Sequence, residues 1–383
     1  METKGIDREL EDEMEFIIDR NLILAALLDV SLAVSTKDTI PILKGIKMEV
    51  FDDKIILTGG NQVSIIKKII KGPAVSIIQT GSTVLEARFL VGLVRKLEND
   101  LHVKSISGSI VVRSGEVETT FHGMDPAEYP KLHDSEAGSE MVLTIEKLKE
   151  IILQTGFAAA INDARPVLTG CHWRFKNRIL TCAATDSQRM AMRKIDIESD
   201  LNRVANIPTA SLSKLLKLLP KQAGNVNIQI SDSFILFKTP DFELYSLLIT
   251  GSYPQIDRLI PTGISTEITL NRKTLENALD RMNIISNHHK HHDVRLSICN
   301  GEVIELSTIA YELGKMVQKI MPNEIQGKKE LDITFDSIFM LEAVKSIQDA
   351  QLKLSFYGEN KPIVVESTAG NDQLSLISSV RTK

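Results

Sequence analysis

The sequence predicts an α+β protein of three repeated domains, each with two helices packed on antiparallel sheets. A chain of 383 residues is too long for one ordinary core and suits two or three domains of about 100–200 residues. In addition, a strand–helix pattern starts near Met14, Ser139 and Ser265, at a spacing of about 125 residues. The predicted divisions are an acidic, disordered extension and three domains, namely 1–13, 14–137, 138–261 and 262–383.

Each repeat contains the same four elements in the same order. An alternating strand, a polar turn and an amphipathic helix come first. A hairpin running into a third strand follows, with reversals predicted at Asp52-Asp53, Lys176-Asn177 and Asn300-Gly301. A second strand–helix unit and further strands close each third. Similar thirds could be cut from any chain that mixes helices and strands, but four ordered elements at one spacing favour a true repeat.

Composition indicates a globular protein and limits its chemistry. Apolar residues make up 43% and charged residues 25%, and no apolar run reaches the roughly 18 residues of a membrane span. The polar N-terminus suggests neither a signal nor a transit peptide. Three widely spaced cysteines suit a reducing cytoplasm rather than a disulfide scaffold. The net charge of −5 does not indicate nucleic-acid binding, although a basic face can coexist with an acidic remainder.

The sequence favours a protein without an active site, metal or cofactor. It contains no nucleophile elbow, P-loop, HExxH motif or paired CxxC motif. Asp163 and Asp186 with His172 could form an acid–base set, but a single histidine in a strand is usually structural. The run "NHHKHHD" (287–293) could bind a transition metal, although a surface loop is the simpler interpretation.

Basic residues lie on the polar sides of the predicted helices, among them Lys149, Lys214 and Lys217. They could be ordinary solvated charges, or they could face a polyanion. Equal domains joined by short linkers can also stack edge to edge into an arc. An arc that meets a second copy closes into a ring with no free sheet edge at its joints.

A polar break interrupts the hydrophobic stretch "LTCAATDSQRMAM" (180–192). An ordinary strand-to-strand turn would explain it. The corresponding stretch of the first third, "ILTGGNQVSII" (56–66), lacks the Arg and the Met, so the two breaks are not equivalent.

Several stretches together resemble the bacterial sliding clamp family, the beta subunits of DNA polymerase III. They include "TIPILKGIKMEV" (39–50), "NDARPVLTGCHW" (162–173), "SYPQIDRLIP" (252–261) and "LISSVRT" (376–382), and the resemblance extends from Met14 to Lys383. It implies a crescent that dimerises head to tail into a six-domain ring, which encircles duplex DNA and carries out no chemistry. The implied partners are the polymerase III catalytic subunit, an ATP-hydrolysing clamp loader, other polymerases and mismatch-repair or ligase-type proteins. The implied location is the cytoplasm, at the nucleoid.

The resemblance also implies roles for individual residues. Lys37, Arg88 and Arg165 match basic positions that face DNA, and Ile284 and Ile285 match the dimer interface, although core packing would also explain the two isoleucines. A pocket for short linear peptides would be lined by residues of three segments, namely Leu168, Thr185, Ser187, Gln188, Arg189, Met190, Pro254, Arg258, Leu259, Leu376, Ser378, Ser379, Val380 and Arg381. The resemblance thus implies that the polar break borders this pocket, with long side chains around an apolar floor as in a peptide-binding groove. The different residues in the first third suggest one such groove per chain.

This chain departs from the family pattern at the predicted pocket. Ser187 stands where the family usually has Gly, and Ser378-Ser379 replace a bulky apolar residue followed by Pro. Pro166 and Val167 replace aromatic residues, so stacking on single-stranded DNA is not expected there. These departures raise the alternative of a specialised second clamp rather than the main replicative one.

Overall fold

A computed structural model describes residues 14–35, 40–106, 108–130, 138–287, 292–370 and 372–380. Within them the chain forms three repeated domains of helices and antiparallel sheets, as the sequence predicted. The predicted extension, residues 1–13, lies outside the described residues.

The described elements follow one order in the first and last domains, and the second domain has the same order with one strand fewer. The first domain contains β1 (Glu15–Ile18), α1 (Arg20–Ser31), β2 (Gly45–Phe51), β3 (Lys54–Gly60), β4 (Ser64–Ile70), β5 (Val75–Gln79), β6 (Gly81–Glu86), α2 (Ala87–Val94), β7 (Leu101–Ile106), β8 (Ser109–Ser114) and β9 (Val117–His122). The second contains β10 (Ser139–Thr144), α3 (Ile145–Thr155), β11 (Gly170–Lys176), β12 (Ile179–Thr185), β13 (Arg189–Asp196), β14 (Arg203–Pro208), α4 (Thr209–Leu218), β15 (Asn225–Ile230), β16 (Phe234–Lys238) and β17 (Phe242–Leu247). The third contains β18 (Thr266–Asn271), α5 (Arg272–Ser286), β19 (Asp293–Cys299), β20 (Val303–Ala310), β21 (Gly314–Ile320), β22 (Glu324–Gly327), β23 (Asp332–Asp336), α6 (Ser337–Ser346), β24 (Gln351–Phe356), β25 (Ile363–Ser367) and β26 (Gln373–Ile377).

Side-chain caps fix where several helices begin. Asp19 accepts a hydrogen bond from the Leu22 amide at 2.8 Å, and Asn271 accepts one from the Thr274 amide at 3.0 Å. Because the first amides of a helix lack partners within it, these carboxylate and amide oxygens stabilise the start of α1 and α5. The same residue class therefore begins the first helix of the first and last domains.

One hairpin reversal lies one residue away from its predicted position. The turn after β11 is formed by Asn177 and Arg178, whose φ angles are 54° and 61°, rather than by Lys176 and Asn177. Asn300 and Gly301, at 55° and 71°, form the corresponding turn of the last domain. Two consecutive left-handed residues are typical of the tight hairpin turn that matches strand twist.

The chain divides into two compact units. Unit 1 contains the described residues up to Ile145 together with Ser213–Leu247, and unit 2 contains Glu146–Leu212 and Leu248 onwards. Unit 1 holds a five-stranded sheet, β5-β1-β7-β8-β9, and an eight-stranded sheet, β10-β15-β16-β17-β4-β3-β2-β6. Unit 2 holds a nine-stranded sheet, β14-β11-β12-β13-β26-β25-β24-β18-β22, and a four-stranded sheet, β21-β20-β19-β23.

The two largest sheets each join strands of consecutive domains. In unit 1, β17 pairs with β4, which we call the first junction; in unit 2, β26 pairs with β13, which we call the second junction. Ser64 opposes Ser246 at the first junction, and Arg189, about 125 positions after Ser64, opposes Ile377 at the second. The repeat therefore extends to the register of the strands that join its domains.

Candidate functional site

An apolar cluster covers the outer face of the second junction, on the side away from the helices. Met190 opposes Leu376 and Met192 opposes Leu374 in the paired strands. These four side chains are nearly fully buried. We call the whole cluster the pocket floor; it consists of Ala183, Met190, Met192, Ile256, Val364, Leu374 and Leu376, with Tyr253, Ile260 and Tyr357 packed against it.

A hydrogen-bonded turn borders the floor where β12 leads into β13. We call residues 185–189 the pocket loop. The hydroxyl of Thr185 donates to the Arg189 carbonyl at 2.6 Å and accepts from the Ser187 amide at 3.1 Å. The Asp186 carboxylate accepts from the amides of Gln188 and Arg189, both at 2.9 Å. Because the side chains of Thr185 and Asp186 bond within the loop, the polar break is a structured turn with Ser187 and Gln188 exposed at its tip.

Ser187 occupies a backbone conformation that favours glycine. Its φ is 77°, in the left-handed region, which disfavours residues with a Cβ. Its hydroxyl accepts a hydrogen bond at 2.7 Å from the Arg165 guanidinium, which also donates to Asp163 at 3.2 Å. The hydrogen bonds from Arg165 lower the pKa of Asp163. The turn is thereby tied to the segment before Leu168.

Arg189 differs from the exposed border residue that the sequence suggested. Its side chain is 11% exposed and lies on the inner face, with the guanidinium 4.2 Å from the centre of the Phe339 ring. It forms ion pairs with Asp186, at 2.9 Å, and with Glu342 on α6. Strand residues alternate between the two faces of a sheet. Met190, the next residue, therefore belongs to the pocket floor, while Arg189 contacts α6 on the opposite face.

The C-terminal residues continue along the edge of the floor. The Ser378 amide donates to the Gln188 carbonyl at 2.9 Å, and the Val380 amide donates to the Thr334 carbonyl at 2.7 Å. Ser379 forms an isolated bridge with Phe335. This tail is therefore held at both ends, while its Ser378 and Val380 side chains remain half-buried. Arg381 lies outside the described residues.

The linker after β17 supplies another border. Pro254 is half-buried, and Arg258 and Leu259 are exposed on the turn that follows Ile256. The Tyr253 hydroxyl accepts a hydrogen bond from the Thr185 amide at 3.0 Å, and burial raises the pKa of Tyr253. A hydrogen bond from Arg174 to Asp257, at 2.8 Å, anchors the same turn and lowers the pKa of Asp257. The pocket loop, the linker and the tail therefore converge on one apolar floor.

The residues predicted to face DNA have different environments. Arg88 on α2, Lys217 on α4 and Arg165 are exposed, and Lys149 on α3 is half-buried. Lys214 instead donates to the Ser64 hydroxyl at 2.7 Å at the first junction, and burial lowers its pKa. The structure therefore gives Lys214 a role in packing that the sequence did not reveal. Lys37 lies outside the described residues.

The predicted interface and metal residues have separate outcomes. Ile284 is 66% exposed and Ile285 is half-buried near the end of α5, so the core does not enclose Ile284. Most of the histidine run, residues 288–291, lies outside the described residues. Within the described ranges, no group of three or more His, Cys, Asp or Glu could hold a metal ion.

No described helix has the length and hydropathy needed to cross a bilayer.

Sequence reasoning missed several residues of this site. Met192, Leu374 and Val364 complete the floor, and Phe339 and Glu342 support Arg189. Met192 could have been inferred from the sequence, because it follows Met190 by two positions in the same strand and therefore shares its face. The pairing of β13 with β26, which brings the others together, has no local signal in the sequence.

Comparison with protein families gives a match over the described domains. Models of the DNA polymerase III beta subunit match in three parts: the N-terminal domain over residues 14–133, the central domain over 142–255 and the C-terminal domain over 257–381. The boundaries predicted at 137/138 and 261/262 stay predictions.

Individual relatives match over nearly the whole chain. The beta sliding clamp of Bacillus subtilis (strain 168) is 36% identical over 378 residues, which cover 96% of this chain and 100% of that protein. A crystal structure of the DNA polymerase sliding clamp from Bacillus subtilis aligns with a TM-score of 0.93 and 34% identity, covering 97% of this chain and 100% of the other. A beta chain structure from Streptococcus pneumoniae aligns at 0.91 and 31%, covering 96% and 100%.

Proposed function

The chain belongs to the DNA polymerase III beta subunit family of sliding clamps, processivity factors of that polymerase, and we propose that two copies form a ring around duplex DNA. Such a ring holds DNA by enclosure, so its contacts with phosphates can remain weak and sequence-independent. Its partners would dock on the second junction through short peptides. It would carry out no chemistry itself and act at the nucleoid in the cytoplasm.

Two strand edges carry this proposal. In the repeat, β9 corresponds to β17 and β26, while β21 corresponds to β4 and β13. Of these strands, β17 and β4 form the first junction and β26 and β13 form the second, whereas β9 and β21 each end a sheet among the described strands. Because an exposed strand edge favours pairing with another chain, β21 of one copy can pair with β9 of a second copy. The reciprocal contact closes the assembly with two chains.

The register of the two junctions predicts the register between chains. Ile65 opposes Tyr245, and Met190 opposes Leu376. The corresponding positions on the open edges are Lys315 and Thr120. These two residues should therefore face each other across the proposed interface.

Exposed apolar side chains and charge support the same interface. Phe89, on α2 of the first domain, is 57% exposed. Ile309, Leu313 and Val317, on or beside β21, are also exposed, as is Ile284 on α5. Large apolar side chains that are exposed beside an unpaired strand edge favour an interface there. In the same register, Lys319 on β21 would oppose Glu116 beside β9, and Glu118 would lie diagonally from both Lys315 and Lys319.

The docking proposal rests on the outer face of the second junction. An apolar floor bordered by polar turns is the usual construction of a peptide groove. A peptide that buries roughly 300–400 Å² of apolar area would gain about 8–10 kcal/mol before ordering costs, which suits micromolar affinity. Such partners can exchange on one ring.

Retention on circular DNA tests the ring. The protein should be loaded by its cognate clamp loader and ATP onto nicked circular duplex, and it should elute with the DNA at moderate salt. Cutting the circle should release it, because a ring slides off free ends. Equal retention on linear DNA would contradict enclosure. A variant with Arg88→Glu and Arg165→Glu should load less efficiently; unchanged loading would favour a structural oligomer without a DNA role.

A specialised role is a second candidate, favoured by Ser187 and Ser378-Ser379 in the groove. These residues make its border more polar than the family pattern. The protein should then bind a standard clamp-binding peptide more weakly than the Bacillus subtilis clamp does, as measured by surface plasmon resonance. Equal affinity for the two proteins would count against a specialised role.

A further inference from the structure

We propose that Ser378 sets the peptide specificity of the groove, by selecting a partner with a hydrogen-bonding side chain at the end of the pocket floor. The proposal rests on the proposed function, because it assumes that a peptide docks on the second junction.

The position of Ser378 follows from strand alternation. Leu374 and Leu376 belong to the pocket floor, whereas Ile377 packs in the core of the last domain on the opposite face. Because side chains two residues apart share a face, Ser378 continues the row of Leu374 and Leu376. The hydrogen bond from its amide to the Gln188 carbonyl, at 2.9 Å, holds the backbone there.

The hydroxyl of Ser378 is available to a ligand. Ser378 is half-buried, and its side chain has no hydrogen-bond partner in the part of the chain that the structure describes. It is also not among the polar atoms fully shielded from solvent. A ligand that covered this hydroxyl without bonding to it would desolvate a polar group at a cost. A ligand that bonds to it avoids that cost.

The groove is therefore polarised along its length. At one end, Met192 opposes Leu374; at the other, the Ser378 amide bonds to the carbonyl of the exposed Gln188. In an extended peptide, alternate side chains are about 6.7 Å apart, the same spacing as Leu374, Leu376 and Ser378. The matching occupant has two apolar side chains at alternate positions and Ser, Thr, Asn or Gln two positions further.

Isothermal titration of the full-length protein with capped hexapeptides tests this. Each peptide carries two leucines at alternate positions and either Thr or Val, which are nearly isosteric, two positions beyond, in versions for both chain directions. The ratio of Thr-peptide to Val-peptide affinity should fall roughly three- to tenfold in Ser378→Val and also fall in Ser378→Ala. Ser297→Ala is the matched control and should leave the ratio unchanged, because Ser297 is equally half-buried but lies on β19 of the four-stranded sheet, outside the groove.

The outcomes separate this inference from the groove itself. If both peptides bind but Ser378→Val leaves their ratio unchanged, Ser378 does not set specificity, although the groove stands. If neither peptide binds the wild type, the groove and this inference both fail. Fluorescence of Trp173, the single tryptophan, verifies that each variant retains the fold of unit 2.

Discussion

The two junctions share one backbone register but differ in the chemistry of their outer faces. At the position where Met192 opposes Leu374 in the second junction, Lys67 opposes Glu243 in the first, with 3.9 Å between the charged atoms. Repeated architecture therefore does not by itself make a binding site. The second junction differs by presenting apolar side chains where the first presents an ion pair, which supports one groove per chain.

The helix side of the junctions differs as well. In the second junction, Arg189 is held between Phe339 and two carboxylates. In the first, the corresponding contact is a single hydrogen bond from Lys214 to Ser64. The proposed peptide-binding face thus lies over the strand pair with more contacts on its helix side, which suits a groove because a groove needs a rigid floor.

Exchanging the outer-face residues should give the largest effect. Met192→Lys places a charge at a position that is 2% exposed, so it should lower the free energy of unfolding of unit 2 by about 3–5 kcal/mol and abolish peptide binding. Urea unfolding followed by Trp173 fluorescence measures the first effect. Lys67→Met at the first junction is the matched change and should stay within about 1 kcal/mol. Comparable losses at both sites would show that the two faces do not differ as described.

Removing the side-chain contacts on the helix side of the junctions should have the second-largest effect on stability and peptide binding. Arg189→Ala removes two ion pairs and the contact with Phe339, and it leaves Glu342 without this cation. We expect a loss of about 2 kcal/mol and roughly tenfold weaker peptide binding. Lys214→Ala should cost about 1 kcal/mol or less and leave peptide binding unchanged. Calorimetry and peptide titration of both variants measure these effects. A larger loss of stability or of peptide affinity in Lys214→Ala than in Arg189→Ala would contradict the difference between the two junctions.

Substitution by glycine in the turns that precede β4 and β13 should change the free energy of unfolding in opposite directions. Ser187 has a φ of 77°, and its counterpart Gln62 is absent from the described residues with positive φ. Ser187→Gly should raise stability by up to about 1 kcal/mol through relief of strain, less the lost bond to Arg165. Gln62→Gly should lower it by about 0.5–1 kcal/mol, because glycine increases the entropy of the unfolded chain. Thermal unfolding of both variants measures the signs, and equal signs would be inconsistent with strain at Ser187.

The smallest expected effect is a pH dependence confined to the first junction. Burial lowers the pKa of Lys214 below its ordinary value of 10.5, so the unfolded chain binds more protons in the window below that value. The contribution of Lys214 to stability should therefore improve as the pH rises through its folded pKa toward 10.5, by less than about 1 kcal/mol. The free energy of unfolding should be measured against pH for the wild type and for Lys214→Met. The increment should be present in the wild-type curve and absent from the curve of the variant. An increment of the same size in Lys214→Met would assign it to another group.

Much of the fold was predictable, because local patterns report local structure. The three domains, the helices and the antiparallel strands follow from apolar periodicity repeated at a constant spacing. The turn at Asn177-Arg178 was misplaced by one residue, since Arg gives no sequence signal for a left-handed conformation. Boundaries of this kind depend on backbone geometry that composition does not determine.

The site was less predictable, because it depends on which strands pair across domains. Residues of the pocket loop were identified from the break between Ala184 and Met190. The inward position of Arg189 and the bond from Lys214 to Ser64 were not, since each depends on a residue distant in sequence. A surface lysine and a buried one look identical in sequence until the opposing strand is known.

Disulfide formation between chains tests the central claim most directly. Lys315→Cys and Thr120→Cys should be introduced into separate copies that also carry Cys299→Ser, and the copies are then mixed and oxidised mildly. Cys299 is removed because it is only half-buried, whereas Cys171 and Cys182 are buried and provide a low background. If the register of the two junctions continues across the interface, these residues lie opposite each other and a covalent dimer should form in high yield. Lys319→Cys with Thr120→Cys, displaced by about 13 Å along the strand, should not cross-link. Equal yields from the two pairs, or a protein that remains monomeric at every concentration, would contradict the ring.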